Sequence, residues 1–179
     1  CMFTAAYMPY YAYFTHIIGH KISPFKNLHG IHHIKEINHI WYNELLEFIV
    51  NLLYIGGGLL IPLNIYLDKY NLTLLNSYGI LAFTLLYTTH HMINYHYLTI
   101  PTHVKHHEFD IEKGLTSETD NIKNYGPDTI DVVFGTKNEG EEYEDMKYTS
   151  INNIVIMILI FYMYKSKYDI IDLLKNKVN

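Results

Sequence analysis

Two long stretches of the chain carry no charge. From Phe48 to Leu67 it reads FIVNLLYIGGGLLIPLNIYL, and from Leu72 to Thr89 it reads LTLLNSYGILAFTLLYTT. As helices rising about 1.5 Å per residue, each would run roughly 27–30 Å, enough to cross a hydrocarbon core of about 30 Å. The residues between them, Asp68-Lys69-Tyr70-Asn71, make a short polar turn. The pattern predicts a helical hairpin that enters a membrane and returns, with Gly56-Gly57-Gly58 and Pro62 as the places where its first helix could break. The competing reading of the same pattern is a buried helix pair in a soluble core. Met2 to Ile18 is apolar and tyrosine-rich, as the tail of an earlier membrane helix would be. Ile151 to Tyr164 is a further apolar run, which would lie in the interface or extend back toward Tyr148 and span. Glu108 to Lys147 is polar and holds most of the acidic residues, so it is expected outside the membrane. The pattern divides the chain into a mainly α integral membrane domain over 1–149 and an apolar helix with a lysine-containing tail over 150–179.

Composition agrees with that pattern. Of the 179 residues 49 % are hydrophobic and 17 % charged, against roughly 25 % charged in an average soluble domain. A net charge of −5 with no basic patch makes nucleic acid a poor partner. The single cysteine, Cys1, excludes a disulfide scaffold and a cysteine-based zinc site. Every basic residue is lysine, and Ile, Asn, Tyr and Lys are heavily used, as an A/T-rich genome would dictate. Because the chain opens on Cys1, it is expected to be a fragment that lacks an upstream segment.

The anomaly is twelve histidines, and they are clustered. His16 and His20 form HIIGH. His29, His32 and His33 form HGIHH. His103, His106 and His107 form HVKHH, and His90, His91 and His96 share the stretch HHMINYH. Spacings of three and four bring imidazoles onto one helix face about a turn apart, and imidazole suits zinc, copper, iron or nickel without choosing among them. His39 belongs to no box and reads as an interfacial polar residue. The first two boxes precede the hairpin and the last two follow it, so an even number of crossings returns them all to one side. Eight to ten imidazoles exceed the four ligands of a structural zinc and are enough for two ions. A site built of neutral nitrogens beside lipid suits oxygen activation better than hydrolysis.

HIIGH, HGIHH and HVKHH around an apolar hairpin resemble the fatty acid hydroxylase / sterol desaturase superfamily of membrane di-iron enzymes, whose pattern is HxxxH, HxxHH, a long apolar gap, then HxxHH. Asn124-Tyr125-Gly126 and the later Asp131-Val132-Val133-Phe134-Gly135-Thr136 are similar to that family's NYG and WD-x-x-FGT ending. The likeness covers about Phe14 to Lys137. It implies metal ligands at His16, His20, His29, His32, His33, His103, His106 and His107, with one or two more among His90, His91 and His96, of which His91 and His96 fit best. It implies structural roles for Asn124, Gly126, Asp131, Phe134, Gly135 and Thr136 in a loop that closes over the metals. Ile130 stands where the family has tryptophan, Val132 where it has a basic residue, and GLTSETD looks like an insertion before Asn124.

What the resemblance implies chemically is a pair of iron ions, with zinc as an isolated substitute, and O2 as co-substrate. The product would be a hydroxylated fatty acyl chain or sterol, or an alkene if a second hydrogen is lost. Lipid would enter from the bilayer, and the electrons would come from cytochrome b5 with its reductase or from a ferredoxin. The expected site is an endoplasmic-reticulum-type membrane with the boxes facing the cytosol, where Lys21, Lys26, Lys35, Lys105, Lys113 and Lys123 lie and the far turn offers only Lys69. Two other classes fit the histidines: a membrane metal-binding or transport protein without redox turnover, and a b-type haem protein, which needs facing histidines within the helices.

Overall fold

A computed structural model describes residues 2–33, 39–98, 106–107, 123–137, 146–166 and 169–178. These are mainly helical, with no strand among them. Helix α1 runs Met2–Lys21 and α2 Phe25–Gly30, prolonged by a 3₁₀ turn, Ile31–His33. Helix α3 spans Trp41–Val50 and passes into a π-helical turn, Asn51–Ile55. Helix α4 spans Leu60–Asp68, and α5 spans Ser77–Met92 before a second π-helical turn, Ile93–Tyr97. The rest are α6 (Asp128–Phe134), α7 (Met146–Lys165) and α8 (Ile170–Val178).

The first uncharged run is therefore longer at its start and broken within. Helix begins at Trp41, ahead of the run, and the segment Trp41–Asp68 is long and apolar enough to cross a membrane, with 39 % of its most apolar stretch buried. It is the one such helix among the described residues. The break falls at Gly57, whose φ of +90° suits glycine. Pro62 sits in the first turn of α4, where the missing N–H has no intrahelical partner to lose. The second run starts its helix only at Ser77, because the Asn76 side chain caps it by accepting from the Gly79 N–H at 2.9 Å. Leu72 to Asn76 stay outside the helix.

Helix α5 returns along the broken helix. Thr84 donates its hydroxyl to the Gly56 carbonyl at 2.8 Å, while Asn64 donates to the Leu75 carbonyl and to Ser77 Oγ at 3.1 and 2.9 Å. Gly56 permits this approach: a Cβ there would meet the Asn51 carbonyl oxygen at 2.7 Å and Thr84 Cα at 3.3 Å. Helix α1 lies alongside, with Thr4 Oγ1 accepting from the Asn76 N–H and the Tyr11 hydroxyl donating to the Tyr54 carbonyl. One end of the bundle is closed by Met8, Ile61, Ile65, Ile80 and Ile171, from α1, α4, α5 and α8. Each such buried side chain contributes about 2 kcal/mol. Helix α7 follows α5, joined by the Asn152 amide to Thr89 Oγ1 at 2.7 Å and by Tyr78 against Tyr164. The run predicted over Ile151–Tyr164 is thus the main part of a helix starting at Met146.

Along α1, Met8 and His20 are twelve residues apart, about 18 Å at helical rise. The histidines therefore gather at the opposite end of the bundle from the Asp68–Asn76 turn.

Candidate metal centre

Five histidines from four segments meet with their Nε2 atoms together. His16 and His20 come from one face of α1, His29 from α2, His33 from the 3₁₀ turn, and His106 from downstream of α5; all five are buried. The Nε2 atoms of His16 and His106 are 3.0 Å apart, those of His29 and His20 3.1 Å, those of His20 and His106 3.3 Å, and those of His33 and His29 3.3 Å. Around an ion with metal–nitrogen bonds of about 2.0–2.1 Å, neighbouring ligands sit roughly 3.0–3.4 Å apart. The spacing is that of a coordination shell.

The other side of the rings decides which nitrogen turns its lone pair toward the centre. Nδ1–H of His16 donates to the Tyr125 carbonyl at 2.6 Å, that of His33 to the His106 carbonyl at 3.0 Å, and that of His106 to the Lys123 carbonyl at 2.9 Å. A proton held on Nδ1 leaves a lone pair on Nε2, and such outer contacts orient metal-binding imidazoles. Lone pairs aimed at one another across 3 Å repel unless a cation lies between them. Burial pushes His106 down to about 4. Burial, reinforced by neighbouring imidazoles, also holds His20 and His33 well below the usual histidine range. The rings are neutral at physiological pH, as ligands must be.

A second group adjoins the first. Glu47 of α3, His91 of α5 and His107 are all buried, with His91 Nε2 3.1 Å from both Glu47 Oε1 and His107 Nε2. The His107 ring stacks on His33 at 4.5 Å, and His91 lies 6.2 Å from His16, so the two groups share a wall. His96 reaches neither group's centre: its Nε2 holds Glu47 Oε2 at 2.9 Å. Burial acts to lower the His96 pKa, but the bond to Glu47 and the charges of Glu47 and Glu44 raise it overall.

Of the residues expected from sequence, His16, His20, His29, His33 and His106 form the first group and His91 and His107 join the second. His103 and the side chain of His32 lie outside the described residues, as does most of Glu108–Lys147. His90 lines the adjoining cavity, and His39 is exposed, apart from both buried groups. Glu47 was not expected, so the site is not made of neutral nitrogens alone. Asn43, Glu47 and Asn51 recur every four residues and all three are buried, a spacing that marks one inward polar face of the helix without naming what it faces.

The NYG and FGT residues form a clasp. Asp131, fully buried in α6, accepts from the Tyr125 N–H at 3.0 Å and from the Thr136 hydroxyl at 2.6 Å through Oδ1, and from the Gly126 N–H through Oδ2. Asn124 N–H donates to the Thr136 carbonyl at 2.8 Å. Asn124, Gly126 and Gly135 take positive φ values of 59°, 60° and 67°, and Gly135 ends α6 in the left-handed conformation. Phe134 stacks on Tyr13 at 4.9 Å, tying the clasp to α1. The product of this wiring is the position of the Lys123 and Tyr125 carbonyls, which orient His106 and His16.

A cavity of about 300 Å³ opens beside both groups. His16, Tyr87, His91 and Asn94 line its inner end, Phe83 and Leu86 of α5 its apolar wall, and Asn153 of α7 its rim. No family model matches the chain, and no curated protein or solved structure matches it.

Proposed function

We propose that this chain is a membrane-embedded di-metal oxygenase of the fatty acid hydroxylase / sterol desaturase kind, which uses O2 to hydroxylate a lipid. The observation that carries the reading is the convergence of five buried Nε2 atoms beside Glu47, His91 and His107, next to a cavity large enough for part of an apolar chain. The donor set fits two transition-metal ions, iron by the chemistry proposed. His16, His20, His29, His33 and His106 would hold one, and Glu47, His91 and His107 the other. When bound, such a pair supplies reductive activation of O2. Inserting one oxygen atom into a C–H bond and releasing the other as water consumes two electrons and two protons, so an external donor of the cytochrome b5 or ferredoxin type is required.

The protein's own part is to hold and exclude. The carbonyls of Lys123, Tyr125 and His106 fix ring orientation. Tyr125 packs edge-on against His16, His20 and His106 at 5.6–5.9 Å and shields them from water. The Phe83 and Leu86 wall suits an aliphatic substrate. No side chain is placed as a nucleophile.

Membrane residence is supported by the Trp41–Asp68 helix and by α7, where Ile151, Ile154, Met157, Ile158 and Phe161 are each more than half exposed. Apolar surface of that extent marks contact with lipid or a partner. Of the lysines on the histidine side, Lys21, Lys26 and Lys123 are described; at the far turn Lys175 joins Lys69 by pairing with Asp68 at 3.4 Å. We place the histidine end toward the cytosol of an endoplasmic-reticulum-type membrane.

The test is product formation in membranes that hold the full chain and an electron donor, with and without O2. A lipid that gains one oxygen atom only in air is the expected result. Loss of two hydrogens instead would make the protein a desaturase of the same kind. Turnover that persists without O2, or tight metal binding with no O2 consumption, would overturn the oxygenase reading. Cysteines introduced at Asp68 and Lys21, in a Cys1→Ser background, are expected to be labelled from opposite sides. Labelling of both from one side would refute the topology.

A further inference from the structure

We propose that His39, Glu44 and His96 form a third metal site, at the surface, for a divalent cation of the zinc, cobalt or nickel class. One ligand atom from each lies within 4.8 Å of the others. Glu44 is one turn before Glu47 on α3, so both carboxylates face the same side. Glu47 points inward to His91, while Glu44 points to the rim. His96 stands between them in the π-helical turn. Its Nε2 is committed to Glu47 Oε2 at 2.9 Å, and its Nδ1, 3.7 Å from Glu44 Oε1, has no hydrogen-bond partner. The His96 side chain is only 7 % exposed. A buried ring nitrogen without a partner, aimed at a carboxylate and a second imidazole, is what an ion would satisfy. The His39 ring is at hand, 6.2 Å from that of His96 and 6.4 Å from Tyr95.

The chemistry of the set selects the ion. Two imidazoles and one carboxylate match open zinc sites, which keep a further position for water. Calcium and magnesium prefer oxygen throughout. Bound ligands would sit roughly 3.0–3.4 Å apart, so this site must close by about an ångström. The exposed His39 and the Glu44 side chain, itself 39 % exposed, have the rotamer freedom to do so. The inner groups need no closure, and the outer site is the weaker one for that reason.

His96 also couples the outer site to the inner pair. An ion on Nδ1 makes the Nε2–H a stronger donor to Glu47 Oε2, and so draws charge from the oxygen that faces His91. Filling the outer site is expected to loosen an ion held at Glu47, His91 and His107, and the effect must be reciprocal. The outer site itself rests on geometry alone; only this coupling rests on the reading of the inner groups as metal sites.

The experiment is equilibrium dialysis of the detergent-solubilised full chain against Zn²⁺ and, separately, Co²⁺, with bound metal counted per chain. The wild type is expected to bind three equivalents, the last at least about tenfold more weakly than the others. His39→Ala, at an exposed position, and Glu44→Gln, at a half-buried one, are each expected to lose that last equivalent and keep the inner two. His106→Ala is expected to lose the equivalent of the five-histidine group and to retain the weak one. If the inner groups bind nothing, one equivalent remains and still disappears in His39→Ala, which separates the two ideas. A wild type without a weak equivalent, or one that keeps it in both His39→Ala and Glu44→Gln, would overturn the proposal.

Discussion

The variant His106→Ala is expected to abolish product formation and to lower affinity for the ion of the five-histidine group by more than about 100-fold. Loss of a mere outer-sphere partner costs about 10–100-fold, and His106 is more than that. Its Nε2 lies 3.0 Å from that of His16 and 3.3 Å from that of His20, closing the ring of donors between α1 and the downstream segment. Its Nδ1 is anchored to the Lys123 carbonyl. Alanine keeps the main-chain carbonyl that receives His33 Nδ1–H, so the loss is confined to the ligand and its anchor. Metal content per chain and turnover, measured on the same preparation, check the claim. Both values staying within twofold of wild type would show that this cluster is not the oxidising centre. Leu72→Ala, at an exposed position in the far turn, is the control and is expected to change neither.

Much of this centre was legible because local geometry suffices to read it. His16 and His20 are four apart within one helix, so one face carries both whatever else the chain does. HGIHH could be read to the same end, although His29 and His33 sit on either side of a change from α-helix to 3₁₀ turn. The expectation that the boxes meet rests on an even number of crossings between them. The rings of His33 and His106 do meet, at 5.1 Å, while one helix among the described residues is long and apolar enough to cross a membrane. Glu47 was not legible as a site residue, because nothing local says that a glutamate before an apolar run faces histidines far along the chain. Nor could His91 and His96 be separated. Five residues of α-helix would turn them about 140° apart, but the π-helical turn of Ile93–Tyr97 alters that register, and such turns cluster at functional sites. In the fold, the uncharged runs located the helices but misplaced their ends. Charge marks where a helix could leave lipid, whereas the Asn76 cap and the Gly57 backbone decide where it starts and breaks.

Asp131→Ala tests whether the loop after the last histidine box serves the metal from a distance. The carboxylate is fully buried and receives two backbone N–H groups and a hydroxyl. Alanine removes the carboxylate acceptor of the two N–H groups, while the Thr136 hydroxyl keeps the Tyr13 hydroxyl and the residue 131 carbonyl within reach. At about 1–3 kcal/mol for each donor that stays buried and unpaired, a loss of roughly 2–5 kcal/mol in stability is expected. Asparagine preserves the shape and one acceptor but sets an amide N–H against another donor, so Asp131→Asn should fall between alanine and wild type. The reach of the clasp is through Tyr125, whose N–H is held by Asp131 and whose carbonyl holds His16 Nδ1. Freed, that carbonyl no longer fixes the ring, and affinity at the five-histidine group is expected to drop about 10–100-fold, the usual cost of losing an outer partner. Affinity at Glu47, His91 and His107, where Glu47 is held by His91 and His96, should change far less. Thermal unfolding and metal titration of folded protein below its transition separate the two effects. Reduced stability with both affinities unchanged would make the clasp a packing device with no part in positioning His16.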